Sequence, residues 1–345
     1  MNPLIELGAD ESRLAELAAA AADRPGTVPG RVVRSERGGA DVATAGGPVT
    51  AATTEPICAG DWVLLDTAGD PPRVAAVLPR RTAVVRRAAD TDTAQVLAAN
   101  VDQVWVIAAL DRPVGLSRVE RALVLAWDSG AEPVVVATKS DLADEVAVAD
   151  AVASLSVAAP GVPVVAVSAA TGDGIADLRA RLGRGRTAAV LGPSGAGKSS
   201  LVNAIAGDPA VAVADVRSAD GKGRHTTAWR ELVVAGDAGI LIDSPGLRAV
   251  GVWVDGGGID AAFADVAALS DECRFSDCGH AGEPGCAVAA AIDAGDLDPR
   301  RLDSYRKLQR EAAWIEQRHD ARQRAAERRV WAARSKEARR RARPR

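Results

Sequence analysis

Gly192-Pro193-Ser194-Gly195-Ala196-Gly197-Lys198-Ser199 fits the phosphate-binding pattern G-x-x-x-x-G-K-[ST]. Glycines let backbone N–H groups wrap the phosphates of a nucleotide. The lysine neutralises the β/γ charge, and the serine hydroxyl holds Mg²⁺. The flanks agree: Thr187-Ala188-Ala189-Val190-Leu191 reads as a short buried strand, and Ser200-Leu201-Val202-Asn203-Ala204-Ile205 continues as a helix. The chain has 33 glycines, so a chance match must be weighed, but it has only five lysines against 37 arginines. A lysine placed where a compact ammonium is needed, in a chain that otherwise uses arginine, argues for a real phosphate site. The nucleotide contacts expected here are Gly192, Pro193, Ser194, Gly195, Ala196, Gly197, Lys198, Ser199 and Ser200.

At 345 residues the chain exceeds one ordinary core, and 48 % hydrophobic with 26 % charged residues is a globular composition. No apolar run reaches membrane-spanning length, and Glu6, Asp10 and Glu11 stand where a signal peptide would be basic, so a cytoplasmic protein is expected. The net charge of −4 conceals an asymmetry. Residues 300–345 carry +11 and the remainder −15, which suggests a polyanionic partner, nucleic acid above all.

Outward from the loop toward the N-terminus, residues 101–182 alternate strands and helices. Val104–Ala109, Pro133–Ala137 and Val162–Val167 are continuous apolar strands, and Ser117–Trp127, Leu142–Leu155 and Ile175–Leu182 are helices. This pattern predicts a parallel sheet covered on both faces. Ligands bind beyond the carboxyl ends of such strands. Thr138-Lys139-Ser140-Asp141 follows the second strand and Ser168-Ala169 follows the third.

These residues resemble the guanine-recognition elements of the GTPase superfamily, N-K-x-D and S-A. Asp141 would accept from guanine N1–H and the exocyclic amine, neither of which adenine offers. Lys139 would lay its stem over the base, and the Ala169 N–H would meet O6. Thr138 stands where Asn is usual, which removes an amide that braces the loop. Read without that resemblance, Asp141 is a helix N-cap. The base motifs precede the phosphate loop, the reverse of the ordinary order, and this is a circular permutation.

Downstream, Gly223-Arg224-His225-Thr226-Thr227 looks like switch I, with Thr226 or Thr227 reaching Mg²⁺ and the γ-phosphate; Thr227 is favoured. Asp243-Ser244-Pro245-Gly246 supplies D-x-x-G, Asp243 toward Mg²⁺ and Gly246 toward the γ-phosphate. Leu247 occupies the place where many GTPases carry a water-orienting Gln. His225 is then the catalytic candidate, an exposed loop histidine without that duty being the plain alternative. Slow intrinsic turnover, accelerated by a partner, is the expectation.

Residues 30–92 read as about five short strands, Arg31–Arg34, Gly47–Thr50, Asp61–Leu65, Arg73–Leu78 and Ala83–Arg86, which predict a small β-barrel of the OB type. Arg31, Arg34, Arg80, Arg81, Arg86 and Arg87 either track a phosphate backbone or are ordinary barrel charge. Residues 9–23 read as a helix. Gly256-Gly257-Gly258 reads as a hinge before a C-terminal α-helical zinc-binding domain. There, Cys273, Cys278, His280 and Cys286 give the spacing C-x₄-C-x-H-x₅-C, three thiolates and an imidazole for a closed structural Zn²⁺ site. From Pro299 the chain reads as basic and helical, with Trp314 and Trp331 interleaved.

Taken in order, these pieces resemble one family, the circularly permuted GTPase RsgA (YjeQ/EngC). Leu78-Pro79-Arg80-Arg81, Ala99-Asn100-Val101-Asp102-Gln103, the switch-I segment and Glu283-Pro284-Gly285-Cys286 strengthen the likeness. The resemblance implies an N-terminal extension over 1–29, an OB-fold over 30–92, a permuted α/β P-loop GTPase domain over 93–255 and a zinc-binding domain with a basic tail over 256–345. It also implies binding of the small (30S) ribosomal subunit and its 16S rRNA late in maturation, stimulation by the ribosome, release after hydrolysis to GDP, and a monomer. An RNA-binding scaffold with a merely structural nucleotide site is the competing reading, and Asp141 opposes a P-loop kinase or ATPase.

Overall fold

The computed structural model describes residues 2–87, 94–207, 231–243, 251–252 and 257–317. His225, Thr226, Thr227, Gly246 and the tail with Trp331 lie outside the described residues. Among the described residues, no helix is long and apolar enough to cross a membrane.

Two short helices lead the chain, α1 (Pro3–Glu6) capped by Asn2 and α2 (Glu11–Ala22) capped by Asp10, whose Oδ1 accepts from Arg13 N at 2.6 Å. A closed barrel follows, made of β1 (Thr27–Glu36), β2 (Gly39–Thr44), β3 (Gly47–Ala52), β4 (Trp62–Asp66) and β5 (Arg73–Val77), in the order β1-β2-β3-β5-β4. Val32, Val42, Val63 and Leu65 fill it. Two features differ from the sequence expectation. Strand β2 was not anticipated, because Gly39-Ala40-Asp41-Val42-Ala43-Thr44 is built of small residues with a weak apolar signal. The expected fifth strand, β6 (Ala83–Arg87), leaves the barrel instead and pairs with β7 (Ala94–Ala99) in a separate three-stranded sheet. Closure by β2 satisfies the barrel edges without it.

The barrel arginines are engaged internally rather than arrayed for a phosphate backbone. Arg31 is buried, donating to Leu7 O (2.5 Å), Asn100 O (2.8 Å), Thr187 Oγ1 (3.0 Å) and Gly60 O (3.3 Å), with its guanidinium over the Trp62 ring. Burial pushes its pKa down to about 10, so it is still charged at neutral pH. One side chain thus ties the N-terminal extension, the barrel and the first residue of the phosphate-loop strand together. Arg80 grips buried Asp61 through two bonds of 2.7 and 2.8 Å, Arg81 pairs with Asp10 and Glu16, Arg86 with Gln95, and Arg34 with Glu36. For Arg31, Arg34, Arg80, Arg81 and Arg86 the structure favours partners within the chain over a phosphate-tracking array, and Arg31 is not surface charge.

Among the described residues the central sheet has six strands, in the order β10-β9-β8-β11-β13-β12. They are β8 (Gln103–Ala109), β9 (Glu132–Thr138), β10 (Val164–Val167), β11 (Thr187–Leu191), β12 (Glu231–Val234) and β13 (Ile240–Asp243); β12 alone runs antiparallel. Trp105, Ile107, Val134, Val190 and Leu241 face α5 (Ile175–Leu182) and α6 (Lys198–Ala206) on one side. Val104, Val106, Val135, Ala189 and Ile242 face the side of α3 (Leu116–Asp128) and α4 (Glu145–Ala158). Two buried faces are why these strands lack alternation. The chain winds outward through β8, β9 and β10, then returns to β11. The crevice between the carboxyl ends of β8 and β11 is therefore the switch point where ligands bind.

Strand β14 (Gly251–Val252) joins β6 and closes the small sheet beside α3. Helices α7 (Gly258–Ala262), α8 (Ala264–Asp271) and α9 (Ala287–Ala294) follow, and residues 299–317 are helical. Where a hinge was expected, Gly258 is docked: its N–H donates to Asp128 Oδ1 at 2.7 Å, and a Cβ there would stand 2.5 Å from Val124 O. The C-terminal unit is clamped to α3. Fully buried Glu120 accepts from Arg300 and Arg301, Arg301 also grips Asp265 and stacks on Phe263, and Arg121 meets Glu311 through two 2.7 Å bonds. Breaking a buried pair of this kind by truncating one partner costs roughly 3–5 kcal/mol.

Candidate nucleotide and metal sites

The phosphate loop spans the turn from β11 into α6. Gly192 packs on β8 so tightly that a Cβ would stand 2.8 Å from Ile107 Cβ, and Gly195 and Gly197 adopt φ of +76° and +84°, conformations natural to glycine. The helix begins at Lys198, so its free N–H groups and positive dipole end lie at the loop. Lys198 is buried, and its Nζ donates to Gly192 O (3.1 Å) and Pro193 O (3.0 Å). Desolvation pushes its pKa down, with nearby Asp243 opposing.

Asp243, the last residue of β13, accepts from Ser199 Oγ through Oδ2 at 2.8 Å. Its Oδ1 is buried without a hydrogen-bond partner among the described residues. Burial pushes the carboxyl pKa up, against the Ser199 bond and the Lys198 charge. A hydroxyl beside a buried carboxylate with one oxygen unsatisfied fits a hard divalent cation such as Mg²⁺.

The base motifs stand over the same loop. Thr138 Oγ1 donates to Ala196 O at 2.7 Å, so the brace expected to be lost with Asn is supplied by the threonine hydroxyl. Lys139 sits at φ +62°, its stem beside Gly197 and its Nζ donating to Gly195 O at 2.8 Å. Asp141 is exposed and not an N-cap. Asp144 caps α4, accepting from Ala147 N at 2.8 Å, which also explains why that helix starts later than its apolar pattern suggested. Asp141 Oδ1 accepts instead from Ser168 Oγ at 2.6 Å. Buried Ser168 is oriented in turn by the N–H groups of Ala170 and Thr171, and Ala169 stands two positions past the end of β10. The structure thus gathers Thr138, Lys139, Asp141, Ser168, Gly192–Ser199 and Asp243 at one end of the sheet.

One residue escaped the sequence reading. Asp111, two positions past the end of β8, accepts from Lys139 Nζ at 2.6 Å through Oδ2 and from Arg112 Nε at 2.9 Å through Oδ1. The signal existed: a charged residue beyond the carboxyl end of a buried strand, the same rule that located Asp141 and Ser168.

The cysteine cluster forms a second site. The ligand atoms of Cys273, Cys278, His280 and Cys286 all lie within 4.8 Å of one another. Cys273 Sγ is 3.9 Å from Cys286 Sγ and 3.5 Å from His280 Nδ1, and Cys286 Sγ is 3.6 Å from His280 Nδ1. A tetrahedral zinc site has edges of about 3.8 Å between sulfurs and about 3.5 Å from sulfur to nitrogen, so the arrangement fits one Zn²⁺. Ser270 Oγ donates to Val266 O and lies 3.1 Å from His280 Nε2, which makes Nε2 the protonated nitrogen and leaves Nδ1 for the metal. Glu283 braces the intervening loop by accepting from the N–H groups of Gly279 and Ala281.

Comparison with known proteins agrees with this architecture. The profile of the family described as RsgA GTPase matches residues 77–253. The small ribosomal subunit biogenesis GTPase RsgA of Streptomyces coelicolor is 49 % identical over 334 residues, covering 94 % of this chain and 90 % of that protein. Its counterpart from Streptomyces avermitilis is 48 % identical over 340 residues, covering 96 % and 91 %. Among solved structures, YjeQ from Thermotoga maritima superposes with a TM-score of 0.62 at 27 % identity, over 83 % of this chain and 99 % of that one. YloQ, described as a circularly permuted GTPase, shares the fold with a TM-score of 0.58 at 22 % identity, over 83 % and 95 %. The chain belongs to the RsgA GTPase family and is a GTP hydrolase built on a circularly permuted fold.

Proposed function

We propose that this hydrolase binds the small (30S) ribosomal subunit late in its maturation, is stimulated by it, and leaves once GTP has become GDP and phosphate. The observation that carries the nucleotide half is the pair of bonds from Thr138 and Lys139 to Ala196 O and Gly195 O, which fuse the guanine motif to the phosphate loop. Relatives similar over nine-tenths of their length, named for small-subunit biogenesis, support the ribosomal half.

In this reading Asp141 selects guanine, Ser168 fixes the rotamer of that carboxylate, and the Ala169 N–H meets the base oxygen. The loop amides from Gly192 to Ser200 cradle the phosphates and Lys198 neutralises them. Ser199 and Asp243, with Thr227 from switch I, would hold Mg²⁺, which when bound screens the β- and γ-phosphate charge. Thr226 and Gly246 complete the γ-phosphate contacts, and His225 orients the attacking water in place of the Gln that Leu247 replaces. One structural Zn²⁺ on Cys273, Cys278, His280 and Cys286 sets the C-terminal unit. Exposed Phe275, Trp314 and the basic tail supply contacts to 16S rRNA. We place the unit boundaries near residues 29, 92 and 255, and take the protein as a cytoplasmic monomer.

The test is GTP hydrolysis by the full chain with and without purified small subunits. Stimulation of about tenfold or more is expected, the scale of completing one catalytic contact. Absence of stimulation contradicts the partner assignment. Undiminished stimulation in His225→Ala contradicts the catalytic one.

A further inference from the structure

Lys139 is asked to do something a lysine does poorly alone, which is to hold a four-carbon stem flat across a nucleobase. A free lysine side chain has many rotamers to give up when it is held in one. Its ammonium must therefore be fixed at the far end. Gly195 O supplies one anchor at 2.8 Å, but a single neutral carbonyl does not set the direction of a rotatable ammonium. The second anchor is Asp111 Oδ2 at 2.6 Å, from the loop between β8 and α3.

Asp111 is itself held. Arg112 binds it through Nε to Oδ1 (2.9 Å) and Nη2 to Oδ2 (3.0 Å), so the carboxylate that receives Lys139 is held at both oxygens. Both cations hold its pKa well below the usual carboxylate range, the Arg112 bonds most strongly, so it stays ionised at neutral pH. The geometry stands without that shift: two donors converge on one carboxylate, and the lysine they define carries a left-handed backbone (φ +62°) at the start of the base motif.

We propose that Asp111 is a positioning residue of the guanine site, which aims the Lys139 stem over the base and so sets nucleotide affinity without touching the reacting phosphates. The proposal rests on the guanine reading of Lys139 and Asp141. It names a contribution from a third strand end, β8, beside the two that carry the base motifs. Both partners are about one-quarter exposed, with side-chain exposures of 27 % for Lys139 and 21 % for Asp111, so solvent screening moderates the effect.

The experiment is a double-mutant cycle read by GDP calorimetry at low ionic strength, with steady-state GTP hydrolysis alongside. Asp111→Ala is expected to weaken GDP about fivefold, as suits a partly exposed charged pair that also orders a side chain, and to raise KM similarly with kcat within about twofold. Asp111→Asn, which keeps an acceptor for Nζ, should recover about half of that loss on a logarithmic scale. In a Lys139→Ala background, Asp111→Ala should have no further effect, because its consequence passes through the lysine. Independent, additive losses, or an unchanged Asp111→Ala beside a weakened Lys139→Ala, overturn the proposal. If Lys139→Ala itself binds GDP normally, the guanine reading beneath it fails as well, so the two failures are told apart. A loss in Asp111→Ala that Asp111→Asn fails to reduce, with melting lowered in both, assigns the residue to loop folding and also overturns it.

Discussion

Lys198→Ala should lower GDP and GTP affinity, and hydrolysis under subsaturating GTP, by about 100-fold or more, because it removes the buried cation seated inside the phosphate loop. A fixed charge acting on phosphate oxygens in a partly water-excluded site is worth roughly 3–4 kcal/mol. The apo fold should hardly notice. Among the described residues Lys198 Nζ bonds only to Gly192 O and Pro193 O of its own loop, and the short side chain of alanine suits the first turn of α6. Melting without nucleotide should therefore stay within a few degrees of wild type, while the upward shift that GDP produces in wild type disappears. Lys198→Arg should not rescue, since a planar fork cannot occupy the buried pocket of a compact ammonium. Calorimetry with GDP and melting with and without nucleotide check both halves. Wild-type affinity in Lys198→Ala would mean that the loop does not hold phosphate.

Removing the zinc should have the larger structural effect. Between α8 and α9 the chain from Glu272 to Cys286 has no regular secondary structure, and the four ligands are brought together within that irregular stretch. Structural zinc contributes on the order of 10 kcal/mol to the folding of such small units. Cys286→Ser is the informative variant. Cys286 Sγ also caps α9, accepting from Ala289 N at 3.3 Å, and serine keeps the cap while losing the thiolate. The purified protein should carry about one zinc and the variant none, with protease cleavage appearing between α8 and α9. The phosphate loop between β11 and α6, braced by Thr138 and Lys139 at the end of β9, takes no residue from this stretch and should still bind GDP. A metal-free variant that resists protease as wild type does would show that packing, not metal, holds this loop.

The parts of the site that were legible in the sequence are those whose chemistry is local. The phosphate loop, Asp243 at the end of β13, the strand and helix around them and the four zinc ligands each sit within a short run whose spacing is itself the signal. What was not legible depends on partners distant in the chain. Arg31 looked like surface charge because nothing near it reveals that Leu7 O, Asn100 O and Thr187 Oγ1 will surround it. Thr138 looked like a loss because its acceptor, Ala196 O, is 58 residues away. Asp111 was passed over for the same reason, its partner Lys139 lying 28 residues on. Strand β6 misled differently: Ala83–Arg86 is a strand as expected, but a short strand pattern alone does not say which sheet it joins. The switch-I residues His225, Thr226 and Thr227 and Gly246 rest on the sequence resemblance alone, since they lie outside the described residues.

The permuted chain is expected to rebuild a guanine-specific site, with Asp141 as its discriminating group. The direct measurement is competition binding of GDP, ADP and xanthosine diphosphate to wild type and Asp141→Asn. Asparagine presents a donor where the carboxylate accepted, so the variant should lose GDP by about 100-fold and gain xanthosine diphosphate, whose base carries a carbonyl in place of the exocyclic amine. Wild type should prefer GDP over ADP by a similar factor. An Asp141→Asn protein that still binds GDP in preference to both competitors would mean that Asp141 does not read the base.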